Sequence, residues 1–442
     1  MGTTAKTPQP PSTSAGEALH RISALLDTGS FVELSQLAEC GVVTGYGAVE
    51  GRLVYVYGQY GAVNAAHAAK IARLYESAMR MGAPIVGILG SKGMKVDDGL
   101  RVLDAYGRIF TCMAECSGVV PQIAVVAEVC MGVASYIPAL SDFVVMPEQG
   151  ATLLLQSPAT SPEQAAKTAT AAKIGSASAA AKSGLAHFTA PTVSDAMLTV
   201  KELLAYLPSN NLDEAPLGMF LDDTERPADA FTQPALPVLD VITQLADNLR
   251  FLECRRAYEP TVCTGFARLN GYSVGIVANN GALTQGACDK AAAFVRFCDA
   301  FNIPLVTLNA AAAYEYPING QRDAIVCGAK LLSAFAQATV PRVNVICGEA
   351  LGSPYLMMNS AHIGADVTLA WDSARIAAVD PEAAQKLLGA DISAEPALAA
   401  TKGFADQVIC PADTRMLLIA TLEMLNSKRA PRHAKKHGSA VL

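Results

Sequence analysis

Two glycine-containing segments are the clearest sign of chemistry in this sequence. Residues 130–135 read CMGVAS, and residues 350–355 read ALGSPY. In each, a glycine follows a strand-like run and precedes a predicted helix start, where glycine permits positive φ and close backbone approach. Free N–H groups at a helix start, aided by the helix dipole, stabilise a developing oxyanion. Such a glycine is most often structural, so the chemical interpretation needs support from elsewhere in the chain.

Catalysis by side chains has little support in the same sequence. The chain has six His and neither a Ser-His-Asp pattern nor an HExxH motif. Cys130 precedes the first glycine turn, but no base stands near it. A small buried thiol is therefore favoured over a nucleophile at this position.

The elements that would position the two turns are repeated along the chain. TGYG at 44–47 recurs as TGFA at 264–267, an offset of 220 residues. The same offset relates Gly132 to Gly352, and the register holds without gaps from Ile22 to Gly132. A repeat of this length indicates two copies of one domain.

Each copy has the pattern of an α/β layered fold. Runs of β-branched and aromatic residues broken by glycine predict paired strands, and apolar residues at helical spacing predict helices. Strands that alternate with long helices form layered α/β domains. In the first copy we predict strands over 42–49, 53–57, 84–89 and 122–127 and helices over 65–81 and 99–116. In the second we predict strands over 262–269, 273–277, 304–308 and 342–346 and helices over 288–301 and 325–338.

The domain boundaries follow from composition. Residues 1–16 are rich in Thr, Ser and Pro and predict a disordered tail without the apolar run of a secretory signal. We then expect an N-terminal domain over 17–207 and a C-terminal domain over 238–442. The segment between them, 208–237, is rich in Pro, Asp and Asn, which is typical of a linker.

Composition excludes several classes of protein. Of the 442 residues, 51% are hydrophobic and 17% are charged. The longest weakly charged stretch, 117–141, is nevertheless not expected to span a membrane, because Pro, Glu and Gly interrupt it. The net charge of −7 disfavours nucleic-acid binding. The eleven scattered cysteines favour reduced thiols in the cytoplasm over a disulfide framework, and no zinc-ligand spacing is present.

Longer segments resemble the carboxyltransferase component of biotin-dependent acyl-CoA carboxylases and decarboxylases, of the propionyl-CoA carboxylase β subunit and methylmalonyl-CoA decarboxylase α subunit type. The resemblance covers nearly the whole chain from about Ile22. The segments that carry it include GVVTGYGAVEGRLVYV (41–56), SGVVPQIAVV (117–126), PALSDFVVM (138–146), GFARLNGYSVGIVAN (265–279), KAAAFVRFCDAFNIPLVTL (290–308), GAKLLSAFAQATVPRVNVI (328–346) and YLMMNSAHIGADVTLAW (355–371).

The resemblance implies a fold, a reaction and partners. The fold is α/β with two tandem crotonase-like (ClpP/crotonase) domains, and the usual assembly is a homo-hexamer. Acyl-CoA binds the N-terminal copy, and carboxybiotin, held on a separate carrier protein, binds the C-terminal copy of a neighbouring subunit. Backbone N–H groups in each copy hold the thioester enolate and the biotin oxyanion. No Met-Lys-Met biotinylation motif occurs here, so we expect biotin carrier and biotin carboxylase or decarboxylase partner subunits.

The site residues follow by position in the family motif. Where the family reads Gly-Gly-Ala, this chain has Gly132-Val133-Ala134, so both N–H donors of the thioester side, Val133 and Ala134, are kept. On the biotin side Gly352 precedes Ser353 and Pro354. Proline has no N–H, and loss of one oxyanion donor lowers a rate by about 10² to 10³-fold.

Other positions have weaker assignments. The family's SGGARIQEG loop appears as SKGMKVDDG at 91–99, and its Lys92, Gly93 and Lys95 are candidates to meet CoA phosphates, although exposed lysines are often only solvated. Tyr355 is either a wall of the biotin pocket or a core residue. His67 is assigned to a structural role at a helix end rather than to CoA contact.

The resulting prediction is an enzyme that transfers a carboxyl group between carboxybiotin and a small acyl-CoA, with propionyl-CoA or methylmalonyl-CoA favoured. One alternative is a catalytically degenerate paralogue that binds acyl-CoA or is a structural partner of an active subunit. Pro354 and the rewritten loop 309–321 support that alternative. Another is an acyl-CoA enzyme that works without biotin.

Overall fold

The computed structural model describes residues 14–35, 40–91, 93–156, 174–218, 222–226, 237–310, 321–430 and 433–435. The chain divides into two compact units. Unit 1 comprises Met1–Leu204 and Ser209–Asn211, and unit 2 comprises Ala205–Pro208 and Leu212–Leu442. Residues 1–13 of the predicted tail lie outside the described residues, and a helix begins at Ala15 with the Ser14 side chain as its N-cap.

Unit 1 alternates strands and helices as the sequence predicts. Its helices are α1 (Ala15–Leu25), α2 (Ala65–Met81), α3 (Arg101–Cys116), α4 (Tyr136–Leu140), α5 (Ala177–Lys182) and α6 (Val193–Tyr206). Its strands are β1 (Val32–Leu34), β2 (Val42–Val49), β3 (Arg52–Gln59), β4 (Ile85–Leu89), β5 (Gln122–Val126), β6 (Val129–Met131), β7 (Phe143–Pro147), β8 (Thr152–Leu154) and β9 (Phe188–Ala190).

Within the described part of unit 1, seven strands form a sheet of order β1-β2-β3-β4-β5-β7-β9. The first three strands are antiparallel and the remaining pairs are parallel. Strands β4, β5 and β7 are buried along their whole length. Helices α2 and α3 pack side by side, and their apolar residues, such as Ile71 and Ile109, complete the core. The strand β6 leaves this sheet and pairs with β8.

Unit 2 repeats this order of elements. Its helices are α7 (Val238–Leu245), α8 (Gln285–Ala300), α9 (Gln321–Gln337), α10 (Gly352–Met357), α11 (Pro381–Leu388), α12 (Pro396–Thr401) and α13 (Thr414–Leu425). Its strands are β10 (Phe251–Cys254), β11 (Val262–Leu269), β12 (Tyr272–Asn279), β13 (Leu305–Asn309), β14 (Arg342–Ile346), β15 (Glu349–Leu351), β16 (Val367–Trp371), β17 (Arg375–Ala377) and β18 (Gln407–Ile409).

The predicted repeat is confirmed by the topology. The described strands of unit 2 form a sheet of order β10-β11-β12-β13-β14-β16-β18 and a separate pair, β15 with β17. Strands β2 to β6 relate to β11 to β15 by the offset of 220. Beyond the glycine turns the offset changes, because β7 begins at Phe143 and β16 at Val367, 224 residues later. Unit 2 therefore carries four extra residues between its turn at Gly352 and β16.

A carboxylate closes the same hairpin in both units. Asp27 accepts the N–H groups of residues 50 and 51 at 3.1 and 2.9 Å. Asp247 accepts those of residues 270 and 271 at 3.2 and 2.7 Å. In unit 2 this carboxylate is buried and also receives a hydrogen bond from Arg415 Nη2 at 2.6 Å. The repeat thus preserves backbone geometry while the surroundings differ.

The helices and the cysteines of the described residues were both subjects of prediction. Among the described helices, none combines the length and apolar character that crossing a bilayer requires. All eleven cysteines lie in the described part of the chain, and none forms a disulfide.

Candidate functional site

The first glycine turn joins β6 to a short 3₁₀ turn, Gly132–Ser135, which continues into α4. Gly132 has a φ of 67°, and a side chain built there would meet no heavy atom within 4 Å. The open space lies in front of the turn, and Ser135 Oγ donates to the Gly132 carbonyl at 2.7 Å. Glycine is therefore required here by backbone conformation, and the turn faces open space.

Val133 and Ala134 follow Gly132 in this turn. The Val133 N–H has no acceptor inside the turn, because a 3₁₀ hydrogen bond reaches back three residues, whereas the Ala134 N–H stands three residues after Met131, the cap whose carbonyl is the first acceptor of the turn. Val133 is half-buried and Ala134 is buried. The Met131 cap supplies no side-chain hydrogen bond to the turn. The three predicted residues of the thioester side thus share one short turn after β6, and their role in binding an oxyanion stays a prediction.

The second glycine turn has the same position in unit 2. Gly352 begins α10 with a φ of 60°, and the Leu351 cap likewise supplies no side-chain hydrogen bond. Ser353 is exposed, whereas Pro354 is buried against the unit's interior. Proline fits the first turn of a helix because that turn needs no N–H donor. The helix therefore forms normally, but of the two predicted donors only Ser353 has an N–H.

A cavity of about 760 Å³ opens beside this turn. Gly352, Ser353 and Tyr355 all line it, together with His362 and Phe404. The Tyr355 ring packs edge-on against His362, at 5.7 Å between centroids. Its hydroxyl is buried and has no hydrogen-bond partner among the described residues, and burial raises the pKa of Tyr355 to about 12. Tyr355 is therefore protonated at neutral pH and both packs in the core and lines the cavity.

Sequence reasoning missed two other residues of this cavity wall. The rings of His362 and Phe404 pack at a tilt of 45° with their centroids 4.4 Å apart, and Lys402 adds a cation to the lining. These residues follow Gly352 in the chain. Because the offset of 220 no longer holds there, the sequence of the first copy could not be used to predict them. The only available signal was the match of residues 355–371 to the family, which includes His362.

The predicted phosphate-contacting loop is held by strand-like pairing. Val63 N–H donates to the Gly93 carbonyl at 2.9 Å, and Lys95 N–H donates to the Val63 carbonyl at 3.1 Å. Gly93 has a φ of 86° and its N–H donates to Ser91 Oγ at 2.9 Å. The Lys95 side chain is exposed. Lys92 lies outside the described residues, as do residues 311–320 of the rewritten loop.

His67 is part of the architecture of α2. Its N–H donates to Asn64, the N-cap of the helix, at 2.9 Å. Its ring Nδ1 lies 3.0 Å from the Cys40 carbonyl, which can only accept, so Nδ1 carries the proton and Nε2 accepts from Gln59 Nε2 at 3.2 Å. The ring is fully buried, which lowers the pKa of His67 to about 4. These contacts favour the structural role over CoA contact.

Cys130 precedes the first turn as a buried thiol. Burial raises the pKa of Cys130 to about 12, so it is not a thiolate at neutral pH. The part of the chain that the structure describes also contains no cluster of three His, Cys, Asp or Glu side chains arranged to hold a metal ion.

Comparison with known proteins identifies the family of this chain. The family model of the carboxyl transferase domain matches residues 14–395. The chain belongs to the carboxyl transferase family. Methylmalonyl-CoA decarboxylase subunit alpha of Veillonella parvula is 38% identical, over 96% of this chain and 93% of that protein. Propionyl-CoA carboxylase beta chain of Saccharopolyspora erythraea is also 38% identical, over 96% of this chain and 90% of that protein.

A solved carboxyl transferase structure has the same fold. Transcarboxylase 12S, described as a hexamer assembly with hydrolysed methylmalonyl-coenzyme A bound, superposes with a TM-score of 0.91. It is 35% identical, and the match covers 96% of this chain and 92% of that chain. The tandem crotonase-like fold and the family resemblance predicted from the sequence are confirmed.

Proposed function

We propose that this chain is the carboxyltransferase component of a biotin-dependent system. It transfers a carboxyl group between carboxybiotin on a separate carrier protein and a small acyl-CoA, either propionyl-CoA or methylmalonyl-CoA. The two relatives named above, which act on these esters by name, support the substrate class. The structural observation that carries the proposal is the pair of glycine turns, placed at the same register in both units.

In unit 1 the proposed role is to stabilise the enolate of the acyl thioester. Val133 and Ala134 N–H groups donate to the thioester oxygen as negative charge develops on it. Because the donors are fixed by the Gly132 turn before the charge appears, no reorganisation is needed in the transition state. Gly93 and Lys95, with Lys92, are proposed to meet the CoA phosphates, since lysine is a common phosphate partner.

In unit 2 the proposed role is to hold the ureido group of biotin. Biotin supplies the carboxyl group and the base that takes the α-proton. The largely apolar cavity beside Gly352 fits a compact bicyclic ligand, and the partnerless Tyr355 hydroxyl is a polar atom still lacking its hydrogen bond. Ser353 N–H donates to the ureido oxygen, while Pro354 leaves the second donor position empty.

The proposal also includes partners and setting. The transcarboxylase neighbour assembles as a hexamer, which supports a homo-hexamer here. Biotin carrier and biotin carboxylase or decarboxylase subunits are the remaining partners. The eleven cysteines without a disulfide support a reducing compartment such as the cytoplasm.

The purified full-length chain tests this function when it is mixed with methylmalonyl-CoA and free biotin. We expect release of CO₂ that requires both biotin and the enzyme, and omission of biotin is the control. CO₂ release without biotin would instead support an acyl-CoA enzyme of the crotonase kind. No turnover, with methylmalonyl-CoA still bound in a direct binding measurement, would support the degenerate paralogue that Pro354 makes conceivable.

A further inference from the structure

One row across the sheet of unit 2 is polar although it is completely buried. Thr307 on β13, Asn344 on β14 and Thr368 on β16 are paired neighbours in this row. Each side chain is 0% exposed. Burial of a polar group costs free energy unless it gains hydrogen bonds. In this row the Thr307 hydroxyl donates to Asn344 Oδ1 at 3.1 Å, with the Val343 carbonyl at 3.3 Å as the other acceptor within reach, and the Thr368 hydroxyl has no partner among the described residues.

The same row in unit 1 has no polar side chain. Its members are Gly87, Ala124 and Val144, which pair across β4, β5 and β7 in the corresponding register. The fold can therefore be built with an apolar row. We therefore look for the reason for the polar row in a segment that unit 2 has and unit 1 lacks.

The segment that distinguishes unit 2 in this region lies directly after α10. Asn309 Nδ2 donates to the Met358 carbonyl at 3.1 Å and to Asn344 Oδ1 at 2.6 Å. Asn359 Nδ2 donates to Thr307 Oγ1 at 3.1 Å. Met358 and Asn359 stand at the beginning of the stretch that contains the four extra residues of unit 2. The polar row and its neighbour Asn309 thus anchor this stretch to two strands.

Residue Asn359 makes a sharp reversal at this point. It has a φ of 53°, a conformation that asparagine tolerates better than most residues. Its Oδ1 accepts from Arg342 Nη1 at 3.1 Å, and the side chain is fully buried. The end of α10 is therefore fixed by three side chains from β13 and β14.

The start of the same helix lines the cavity. Helix α10 has only six residues, and a helix this short is unstable on its own, so contacts at its ends decide where it lies. Gly352 and Ser353 are at one end, beside the cavity that Tyr355 also lines, and Met358 and Asn359 follow the other end.

We propose that Thr307 and Asn309 are positioning residues for the Gly352–Ser353 wall of this cavity. Through Asn359 and Met358 they fix the axis of α10, and with it the direction of the Ser353 N–H. The inference rests on the proposed function in treating that N–H as a donor to the biotin oxygen. The rigid anchoring stabilises a site where Pro354 has removed one of two donors.

Two isosteric substitutions in the same row provide a matched test. Thr307→Val removes the acceptor of Asn359 Nδ2 and the hydroxyl's own hydrogen bond to Asn344 Oδ1 or the Val343 carbonyl, whereas Thr368→Val removes a hydroxyl that has no partner among the described residues. Hydrogen exchange by mass spectrometry then reports the amides of residues 355–358 in the full-length protein. We expect about tenfold faster exchange in Thr307→Val, as for loss of one buried hydrogen bond, and no change in Thr368→Val. Equal exchange in the two variants would overturn the proposal.

Kinetics separates positioning from mere stability. We expect Thr307→Val to lower biotin-dependent CO₂ release by about tenfold, less than complete loss of a donor, with KM for methylmalonyl-CoA unchanged. Thr307→Ser, which keeps the hydroxyl, should restore the wild-type rate. If Thr307→Val does not fold, Asn309→Leu, which places the unit 1 residue type of Leu89 there, takes its place. Failure of the proposed function would appear as inactive wild-type protein, whereas failure of this inference would appear as unchanged exchange in α10.

Discussion

The two glycine turns show how a duplicated fold can keep a backbone and change its chemistry. Gly132 and Gly352 occupy equivalent positions, with φ values of 67° and 60°. After Gly132 both following residues carry an N–H, whereas after Gly352 the second is Pro354. Because the first turn of a helix tolerates proline, the donor is lost without loss of the helix. Equivalent geometry therefore does not guarantee equivalent donors.

The hairpin caps of the two units, Asp27 and Asp247, accept equivalent backbone N–H groups but differ in their burial and in their charged partners. Asp27 is a half-buried carboxylate that accepts two N–H groups, and these backbone hydrogen bonds lower its pKa. Asp247 accepts the equivalent pair but is buried beside Arg415, whose guanidinium also donates to the Leu245 carbonyl. Unit 2 therefore binds its C-terminal helix to its hairpin through a buried ion pair, whereas unit 1 does not use one here.

The largest expected effect is on the stability of unit 2. Arg415→Met leaves Asp247 buried without its cation, and we expect a loss of about 3 to 5 kcal/mol in the free energy of unfolding. The chain has one tryptophan, Trp371, which is buried in unit 2 and donates to Thr414 Oγ1 at 2.9 Å. Its fluorescence in urea follows this unit. Asp27→Asn, in the other unit, is the control and should leave that transition unchanged; a similar shift in both variants would contradict the assignment.

Next in size is removal of a donor from unit 1. Ala134→Pro makes the first turn resemble the second, and we expect a decrease of about 10² to 10³-fold in biotin-dependent CO₂ release from methylmalonyl-CoA. Ala134→Ser, which retains the N–H, is the matched control and should stay within a few-fold of wild type, about 1 kcal/mol or less in the barrier. A rate near wild type in Ala134→Pro, with the protein folded, would show that the donor lies elsewhere.

The reverse substitution addresses unit 2. Pro354→Ala adds the N–H that the second turn lacks, and we expect the rate of carboxyl transfer to rise by up to about 10²-fold. Steady-state rates at saturating methylmalonyl-CoA measure the change. An unchanged rate would mean that the ureido oxygen is not held at this turn.

The smallest effect is a pH dependence that distinguishes two equivalent carboxylates. Asp142 accepts the Gln122 N–H at 2.8 Å, and Asp366 accepts the Arg342 N–H at 2.8 Å and also the Lys428 ammonium at 2.7 Å. Burial raises the pKa of Asp142 to about 7, although the N–H of Gln122 partly opposes this.

The direction in which pH changes the stability of unit 1 follows from the difference between the folded and unfolded pKa of Asp142. In the unfolded chain Asp142 ionises near pH 4, well below its folded pKa, so the unfolded state loses its proton first. Unit 1 should therefore lose stability as pH rises from about 4 to about 7, in addition to the contributions of other groups. Thermal unfolding of Asp142→Asn should lack this component while keeping an acceptor for Gln122. The same pH profile in variant and wild type would assign the dependence to other groups.

Much of the fold was accessible from sequence because the repeat is gap-free as far as Gly132. It placed β2, α2, β4, α3 and β5, and with them the first turn, within a few residues. The second turn followed from the same offset. Pro354 was identified as a missing donor because proline's covalent structure determines that property without any tertiary information.

The polar row, the cavity and the buried ion pair of unit 2 could not be predicted, because each depends on contacts between residues far apart in the sequence. Thr307, Asn344 and Thr368 are polar residues in separate, mostly apolar strands, and only the sheet register brings them into one row. The cavity residues His362 and Phe404 come from segments more than 40 positions apart, beyond the end of the repeat register. The ion pair of Asp247 with Arg415 likewise joins the two ends of unit 2.

The most direct test of the account is the biotin-side half-reaction, release of CO₂ from free N-carboxybiotin in the absence of acyl-CoA, corrected for the spontaneous rate. It should require the unit 2 turn and not the unit 1 donors. We therefore predict that Pro354→Ala accelerates this half-reaction, whereas Ala134→Pro leaves it at the wild-type rate. Slowing by Ala134→Pro together with no response to Pro354→Ala would contradict the division of the chemistry between the two turns.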